Sequence, residues 1–273
     1  MRRAITFIFI GADGLRAGWK LLVFMTLAAI FECVLSFAIP LSAPAHDDIP
    51  LGFAVFGETR MLIAILASTA VMAFIERRDV WSYGLGGSRS LQMGLRGAFW
   101  GLALLSMLVA ALAASGHLAM DGLSVHGYGI AIYGCLWGIA FFLAAMSEET
   151  LFRGYPFYTL ARAIGFWPAT ILLSLVFGFV HVTNVGEATF GLASIVLVGV
   201  AFCLCLRLSG SLWWGIGFHA AWDWGQGFLF GTPVSGLLIQ QRLIQSHAAG
   251  GAAELPARKP ASSSYRRSSS PGW

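Results

Sequence analysis

Runs of apolar residues long enough to cross a lipid bilayer recur along this chain and constrain its fold more than any other feature. A spanning helix needs about 20 consecutive apolar residues, and seven segments come near that length: about 18–41, 59–76, 92–115, 128–147, 166–185, 188–208 and 211–230. Only 11% of the residues are charged, whereas a soluble domain carries about 25%. The sequence therefore predicts an all-α, polytopic transmembrane helical bundle of about seven spans.

Composition divides the chain into two regions. Residues 1–245 form one predicted transmembrane domain, whereas residues 246–273 are rich in Ser, Pro, Arg and Gly. The second region holds too few large apolar residues to bury a core, so we predict a disordered, basic tail. The formal charge of +4 fits basic loops, and no element carries the basic stripe of a nucleic-acid surface. We therefore expect the lipid bilayer, and no nucleic acid, as a partner.

Charged residues near the span ends predict the orientation of the chain. Basic residues gather at alternate ends: Arg2, Arg3, Arg16 and Lys20, then Arg77, Arg78, Arg89 and Arg96, then Arg153 and Arg162, and then Arg207. The intervening connections carry Asp47, Asp48, Glu58, Asp121 and Glu187, with Arg60 as their one nearby basic residue. By the positive-inside rule, this multi-pass membrane protein has its N-terminus in the cytoplasm. Seven spans would then put the basic tail outside, which breaks the charge pattern.

Three groups of polar residues lie in or at the ends of the spans, where a charge costs about 2.5–3.5 kcal/mol on insertion scales. The groups are Glu148, Glu149 and Arg153 in the fourth span, Phe177 and His181 in the fifth, and His219 and Asp223 in the seventh. On a helix, Glu149 and Arg153 share a face and can pair. Each group alone also fits a structural role: an interfacial charge cluster, a packed histidine, or a hydrogen-bonded pair. Together they supply a general base, a second base or ligand and an oxyanion stabiliser, as amide hydrolysis requires.

The spacing Glu-Glu-x-x-x-Arg, Phe-x-x-x-His and His-x-x-x-Asp resembles the motifs of the CPBP family. That family groups type II C-a-a-X prenyl proteases with bacteriocin-processing and self-immunity membrane proteins, and the resemblance covers about 130–230. It implies an intramembrane endopeptidase with a conical catalytic cavity among the fourth, fifth and seventh spans. Many members have an eighth hydrophobic helix, which the tail does not resemble. The tail composition fits a truncated or frame-altered end.

The resemblance also implies a role for each motif residue. Glu148 and His181 would activate the hydrolytic water, while His219 and Asp223 would line the oxyanion side. The structural positions of the motif would be Glu149, Arg153 and Phe177. An ionised Asp223 cannot donate a hydrogen bond, so it would instead orient His219.

A zinc ion is the one cofactor that these residues suggest. Glu148, His181 and His219 could act as a Glu/His/His ligand set with an open water position, as in a metalloprotease. The chain lacks H-E-x-x-H, in which one helix supplies two zinc ligands. Water activation by glutamate without a metal is the equal alternative.

The depth of the motifs within their spans creates a geometric difficulty. Glu148 lies near the end of its span, whereas His181 lies roughly 22 Å along a helix that starts at Phe166, at about 1.5 Å per residue. For the groups to meet, the fourth helix must run past Arg153 or the fifth must start deep in the membrane, with Pro168 in its first turn. We therefore predict that the hydropathy boundaries are displaced by several residues.

Three functions remain open at this point. The first is an intramembrane protease that acts on a membrane-associated or lipidated protein or peptide. The second is a non-catalytic immunity or export scaffold with the same fold. The third is a small transporter with His/Glu proton relays, although the repeats typical of transporters are not found. The complete set of motifs favours the protease.

Overall fold

The computed structural model describes residues 9–11, 14–42, 48–184 and 189–250. Its α-helices are α1 (Ala17–Ala38), α2 (Leu51–Ile75), α3 (Ser90–Ala114), α4 (Tyr128–Arg153), α5 (Tyr155–Ile164), α6 (Phe166–Val180), α7 (Thr189–Ser209) and α8 (Trp213–Trp224). Short strands are β1 (Ile10–Gly11), β2 (Gly14–Leu15), β3 (Asp48–Ile49), β4 (Leu118–Leu123), β5 (Leu238–Ile239) and β6 (Ile244–Ala248). The predicted tail from 251 onward, and Arg2, Arg3, Asp47 and Glu187, lie outside the described residues.

The helices confirm the predicted all-α membrane architecture. Five helical segments among the described residues are long and apolar enough to cross a bilayer: α1, α2, α3, the α4–α5 segment and α7. The other two predicted spans are shorter. Helix α6 has 15 residues, and α8 has 12 residues followed by a π-helical turn, Gly225–Leu229. The protein is therefore an integral membrane protein whose two shortest apolar helices carry the second and third motifs.

Several predicted boundaries are wrong, and two of the errors concern carboxyl groups. Helix α4 continues to Arg153, six residues beyond the predicted end at 147, so Glu148 and Glu149 lie within the helix. Helix α2 begins at Leu51, so Glu58 lies within a helix instead of the predicted connection. Hydropathy excluded these residues because they are charged. Inside the bundle, other helices surround them, so their charges do not face lipid.

Glycines allow α3 and α8 to pack closely. A Cβ added at Gly97 would overlap the backbone oxygen of Trp214, one at Gly101 the backbone oxygen of Phe218, and one at Gly217 the backbone oxygen of Gly94. Small residues at helix crossings let two backbones approach in this way. The crossing therefore fixes α8, with His219 and Asp223, at a defined height along α3.

One end of the bundle, which we call the basic end, is joined by a polar cluster around Glu76. Its carboxylate accepts a hydrogen bond from the Tyr155 hydroxyl at 2.7 Å. It also pairs with Lys20 at 3.3 Å and with Arg78 at 3.6 Å. Nearby, the Leu212 backbone N–H donates to the Gly84 oxygen at 2.9 Å. The starts of α1, α5 and α8 and the end of α2 therefore meet at this end.

The opposite end of the bundle is closed by the short strands. β3 pairs with β5 in parallel, and β4 pairs with β6 in antiparallel register. Strand β6 extends to Ala248, so ordered structure continues past the predicted domain boundary at 245. These pairings tie the segment after α8 to the connections that precede α2 and α4.

A partly buried ion pair also links α1 to α2. Arg60 Nε lies 2.6 Å from Glu32 Oε1, and its Nη1 donates to the Ile39 backbone oxygen at 3.1 Å. Both residues lie on apolar helices, so each satisfies a charge that lipid would not solvate. Glu32 therefore serves helix packing.

Candidate active site

The first motif forms a buried ion pair at the end of α4. Arg153 Nη1 lies 3.0 Å from Glu149 Oε1, and both side chains are 1% exposed. The guanidinium also lies over the Phe177 ring, 4.2 Å from its centroid. An arginine in this position neutralises the carboxylate and contacts the aromatic face at once. The first and second motifs are thereby joined side chain to side chain.

His219 on α8 has a carboxyl group at each ring nitrogen. Nδ1 lies 3.1 Å from Glu149 Oε1. Nε2 lies 3.3 Å from Asp223 Oδ2 and 3.8 Å from Glu148 Oε2. Carboxylates only accept hydrogen bonds, so a ring that donates from both nitrogens satisfies this environment. The predicted contact between His219 and Asp223 is present, and Glu149 shares in orienting the imidazole.

His181 lies at the end of α6, against the first residue of its own motif. Its Nδ1 is 2.7 Å from the backbone oxygen of Phe177. Because a carbonyl oxygen can only accept, Nδ1 carries the proton and Nε2 keeps a lone pair. The Phe177 ring lies near both histidines, 4.9 Å from the His181 ring and 6.5 Å from the His219 ring by centroids. His181 can therefore act as a base or a ligand through Nε2.

A cavity of about 280 Å³ joins the second and third motifs. It lies among α6, α7 and α8, and its wall includes His181, His219, Asp223, Phe202, Trp222 and Ser235. The wall is mostly apolar, with the polar groups converging at one side, as in ligand-binding pockets generally. The cavity therefore brings three of the four predicted catalytic residues to one space.

The fourth residue, Glu148, reaches this group through His219. Its Oε2 atom is 3.8 Å from His219 Nε2, is buried, and has no hydrogen-bond partner among the described residues. The depth difficulty is resolved without displacing α6, which starts at Phe166 as predicted. Instead α4 runs on to Arg153, whose side chain extends to Phe177.

Glu58 on α2 is a site residue that the sequence did not reveal. The Ser147 hydroxyl donates to the Glu58 backbone oxygen at 3.3 Å, and the Glu58 carboxyl group interacts electrostatically with Glu148, His219 and Asp223. Glu58 Oε2 is buried without a partner among the described residues. In the sequence, Glu58 is a single carboxylate at the edge of an apolar run. Loop residues that carry a charge show the same pattern.

The predicted zinc ligands do not form a metal site in the described part of the chain. There, no three His, Cys, Asp or Glu side chains have the geometry to hold one ion. Glu148 lies beside His219, but both nitrogens of His219 face carboxyl oxygens, whereas a zinc-bound imidazole directs one lone pair at the metal. The set of Glu148, His181 and His219 therefore does not fit zinc in this arrangement.

The arrangement can support hydrolysis by acid–base chemistry. It holds carboxyl groups able to accept a proton, an imidazole with a free lone pair, and a second imidazole held by carboxylates beside an enclosed space. These are the elements of a general base and an electrostatic stabiliser next to a substrate cavity.

Comparison with known proteins identifies the same region. Residues 129–225 match the family model described as type II CAAX prenyl endopeptidase Rce1-like. The matched segment includes all three motifs, from Glu148 to Asp223, and confirms the resemblance to the CPBP family. No curated protein and no solved structure gives a significant match to the chain.

Proposed function

The chain belongs to the CPBP family through its Rce1-like segment, residues 129–225, and from this premise we propose that it is an active intramembrane endopeptidase. At the family level the activity is that of a CAAX-type endopeptidase. The observation that carries the proposal is the convergence of Glu148 and Asp223 on His219, whose Nε2 lies 3.8 Å from Glu148 Oε2 and 3.3 Å from Asp223 Oδ2, beside the cavity that His181 also lines. The substrate would be a membrane-associated or lipidated protein or peptide.

In this mechanism Glu148 acts as the general base. Its buried Oε2 accepts a proton from water while the water oxygen bonds to the scissile carbonyl carbon. His181, with its Nε2 lone pair, would hold the water from the cavity side. The proton then passes from Glu148 to the leaving amine nitrogen as the carbon–nitrogen bond breaks. Burial supports this role because a carboxylate surrounded by few water molecules is a more effective base.

His219 would stabilise the oxyanion that forms on the carbonyl oxygen. Its ring is held between Glu149 on Nδ1 and Asp223 on Nε2, so its charge is fixed in position before the reaction. Preorganised charge of this kind is worth about 10²–10³ in kcat for one group. Asp223 would be a positioning residue, since a carboxylate cannot itself donate to an oxyanion.

The test is cleavage of defined peptides by the full-length protein reconstituted in liposomes. The probes are a fluorogenic peptide ending in Cys-a-a-X, with and without a farnesyl group on the cysteine, and a transmembrane peptide without a lipid. We expect Glu148→Gln and His181→Ala each to lower kcat by about 10²–10⁴-fold. Matched controls are Asp121→Asn and His126→Ala, which change exposed residues outside the cavity and should retain wild-type rates.

The same assay distinguishes the two ways of activating water. Because the described residues do not form a zinc site, we expect cleavage to continue after dialysis against a chelator. Loss of activity that zinc restores would overturn the metal-free mechanism. Wild-type rates in Glu148→Gln and His181→Ala would overturn the catalytic assignment, and a folded wild-type protein that cleaves none of the probes would favour the non-catalytic scaffold.

A further inference from the structure

We propose that Glu58 is a further residue of the catalytic centre, and that it holds the hydrolytic water together with Glu148. The inference rests on the proposed protease function and extends it to a helix outside the three motifs. It brings α2, which lies outside residues 129–225, into the reaction.

Glu58 lies next to the first motif. The Glu58 backbone oxygen accepts a hydrogen bond from Ser147, the residue that precedes Glu148, at 3.3 Å. The Glu58 carboxyl group interacts electrostatically with Glu148, and with His219 and Asp223 on α8. The neighbouring ionisable residue on the same helix, Arg60, is engaged by Glu32 of α1. The Glu58 carboxyl group therefore belongs to the same cluster of charges as Glu148.

Two carboxyl oxygens of the site also lack a hydrogen-bond partner among the described residues. Glu58 Oε2 and Glu148 Oε2 are both buried, and neither has a hydrogen-bond partner among the described residues. A buried carboxyl oxygen without a partner is strongly unfavourable. One water molecule between the two carboxyl groups would satisfy both oxygens, since buried waters typically make two to four hydrogen bonds.

The chemistry follows from this geometry. With one water hydrogen directed at Glu148 and the other shared between Glu58 and Nε2 of His181, a lone pair of the water oxygen is left for the carbonyl carbon. As the oxygen–carbon bond forms, one water proton moves to Glu148 and later to the leaving amine nitrogen. Glu58 accepts the other hydrogen bond throughout and gains no net proton. Its role is to orient the nucleophile. Good alignment of the reacting atoms removes a large part of the activation barrier.

The kinetic test compares Glu58→Leu with Glu58→Gln in the reconstituted full-length protein. Leu cannot hold water, so we expect kcat to fall about 100-fold while KM stays within about twofold. Gln can still accept through its amide oxygen, and should restore most of that loss. The neighbouring Thr59→Val, whose hydroxyl donates within α2 to the Val55 backbone oxygen at 2.7 Å, is the matched control. An unchanged kcat in Glu58→Leu, or an effect on KM alone, would overturn the inference.

A structural measurement keeps the inference testable apart from activity. In a crystal structure of the intact protein that resolves waters, we expect one water bridging the carboxyl groups of Glu58 and Glu148. A direct contact between the two carboxyls, or a Glu58 side chain turned toward α1, would refute the proposal. If wild type is active and Glu148→Gln is inactive while Glu58→Leu works normally, the protease function stands and only this inference fails. If no probe is cleaved, the bridging water still decides the position of Glu58.

Discussion

One carboxylate oxygen of Glu149 contacts two other residues of the site. Glu149 Oε1 accepts from Arg153 at 3.0 Å and from His219 at 3.1 Å. The sequence predicted only the first contact, because i, i+4 spacing is local, whereas His219 lies 70 residues further along the chain. Glu149 therefore has two separable effects: it neutralises Arg153, and it orients the His219 imidazole.

These two effects can be separated by a double substitution. Glu149→Leu leaves the buried Arg153 charge unpaired, which should lower the free energy of unfolding by about 3–5 kcal/mol. Combining it with Arg153→Met removes that charge and should restore most of the stability. The cleavage rate should stay low in both variants, because His219 has lost its acceptor at Nδ1. Unfolding in detergent and peptide cleavage measure the two effects, and a double variant no more stable than Glu149→Leu would contradict the account.

At the scale of elements, the close crossing of α3 and α8 decides where the third motif lies. The backbones meet at Gly94, Gly97, Gly101 and Gly217. His219 is two residues beyond Gly217, so a displacement of α8 moves the imidazole away from Glu148 and Glu149. Helix α3 carries no motif residue, yet its glycines set the position of His219 and Asp223 in the bundle.

Replacing one glycine at this crossing with alanine should show that stability and cleavage rate depend on the close approach of α3 and α8. In Gly97→Ala the new methyl group would meet the backbone of Trp214 and Phe218, and backbone cannot turn aside as a side chain can. Overpacking of this kind lowers stability by about 1–3 kcal/mol, and a shift of about 1 Å in the site can lower kcat about 100-fold. The matched control is Gly18→Ala in α1, where a methyl group has nothing within 4 Å. Thermal unfolding and cleavage rates should change only in Gly97→Ala.

At the scale of the whole molecule, the two ends of the bundle differ in charge and construction. The Glu76 cluster gathers Lys20 and Arg78 at the basic end, while the β3–β5 and β4–β6 pairs close the other end. By the positive-inside rule, we propose that the basic end faces the cytoplasm. The Ser235 side of the cavity, near the strands, would then face the external half of the membrane.

Cysteine labelling checks this orientation. In a variant lacking the native Cys33, Cys135, Cys203 and Cys205, a single cysteine would replace Ser124, beside the end of β4, or Ser88, between α2 and α3; both positions are exposed. A membrane-impermeant maleimide added to intact cells should label Ser124→Cys, and should label Ser88→Cys only after permeabilisation. The reverse pattern would invert the topology and place the N-terminus outside.

The sequence alone determined the class of fold, the order of the motifs and the ion pair of Glu149 with Arg153. These features rest on local chemistry: apolar runs that require a bilayer, and spacings that repeat along one helix. It also identified the residues that meet at the cavity, through three short spacings found together in one chain.

The tertiary structure alone decided which carboxyl group faces which nitrogen. It joined Glu149 to His219, showed that Glu148, His181 and His219 do not assemble as a zinc site within the described residues, and brought Glu58 to a site that begins 89 residues further along the chain, at Ser147. Sequence patterns report the preferences of neighbouring residues, whereas these contacts depend on helix crossings such as that of α3 with α8. Because the buried glutamates are charged, hydropathy assigned them to loops or span ends. Their packing against other helices places them in the interior.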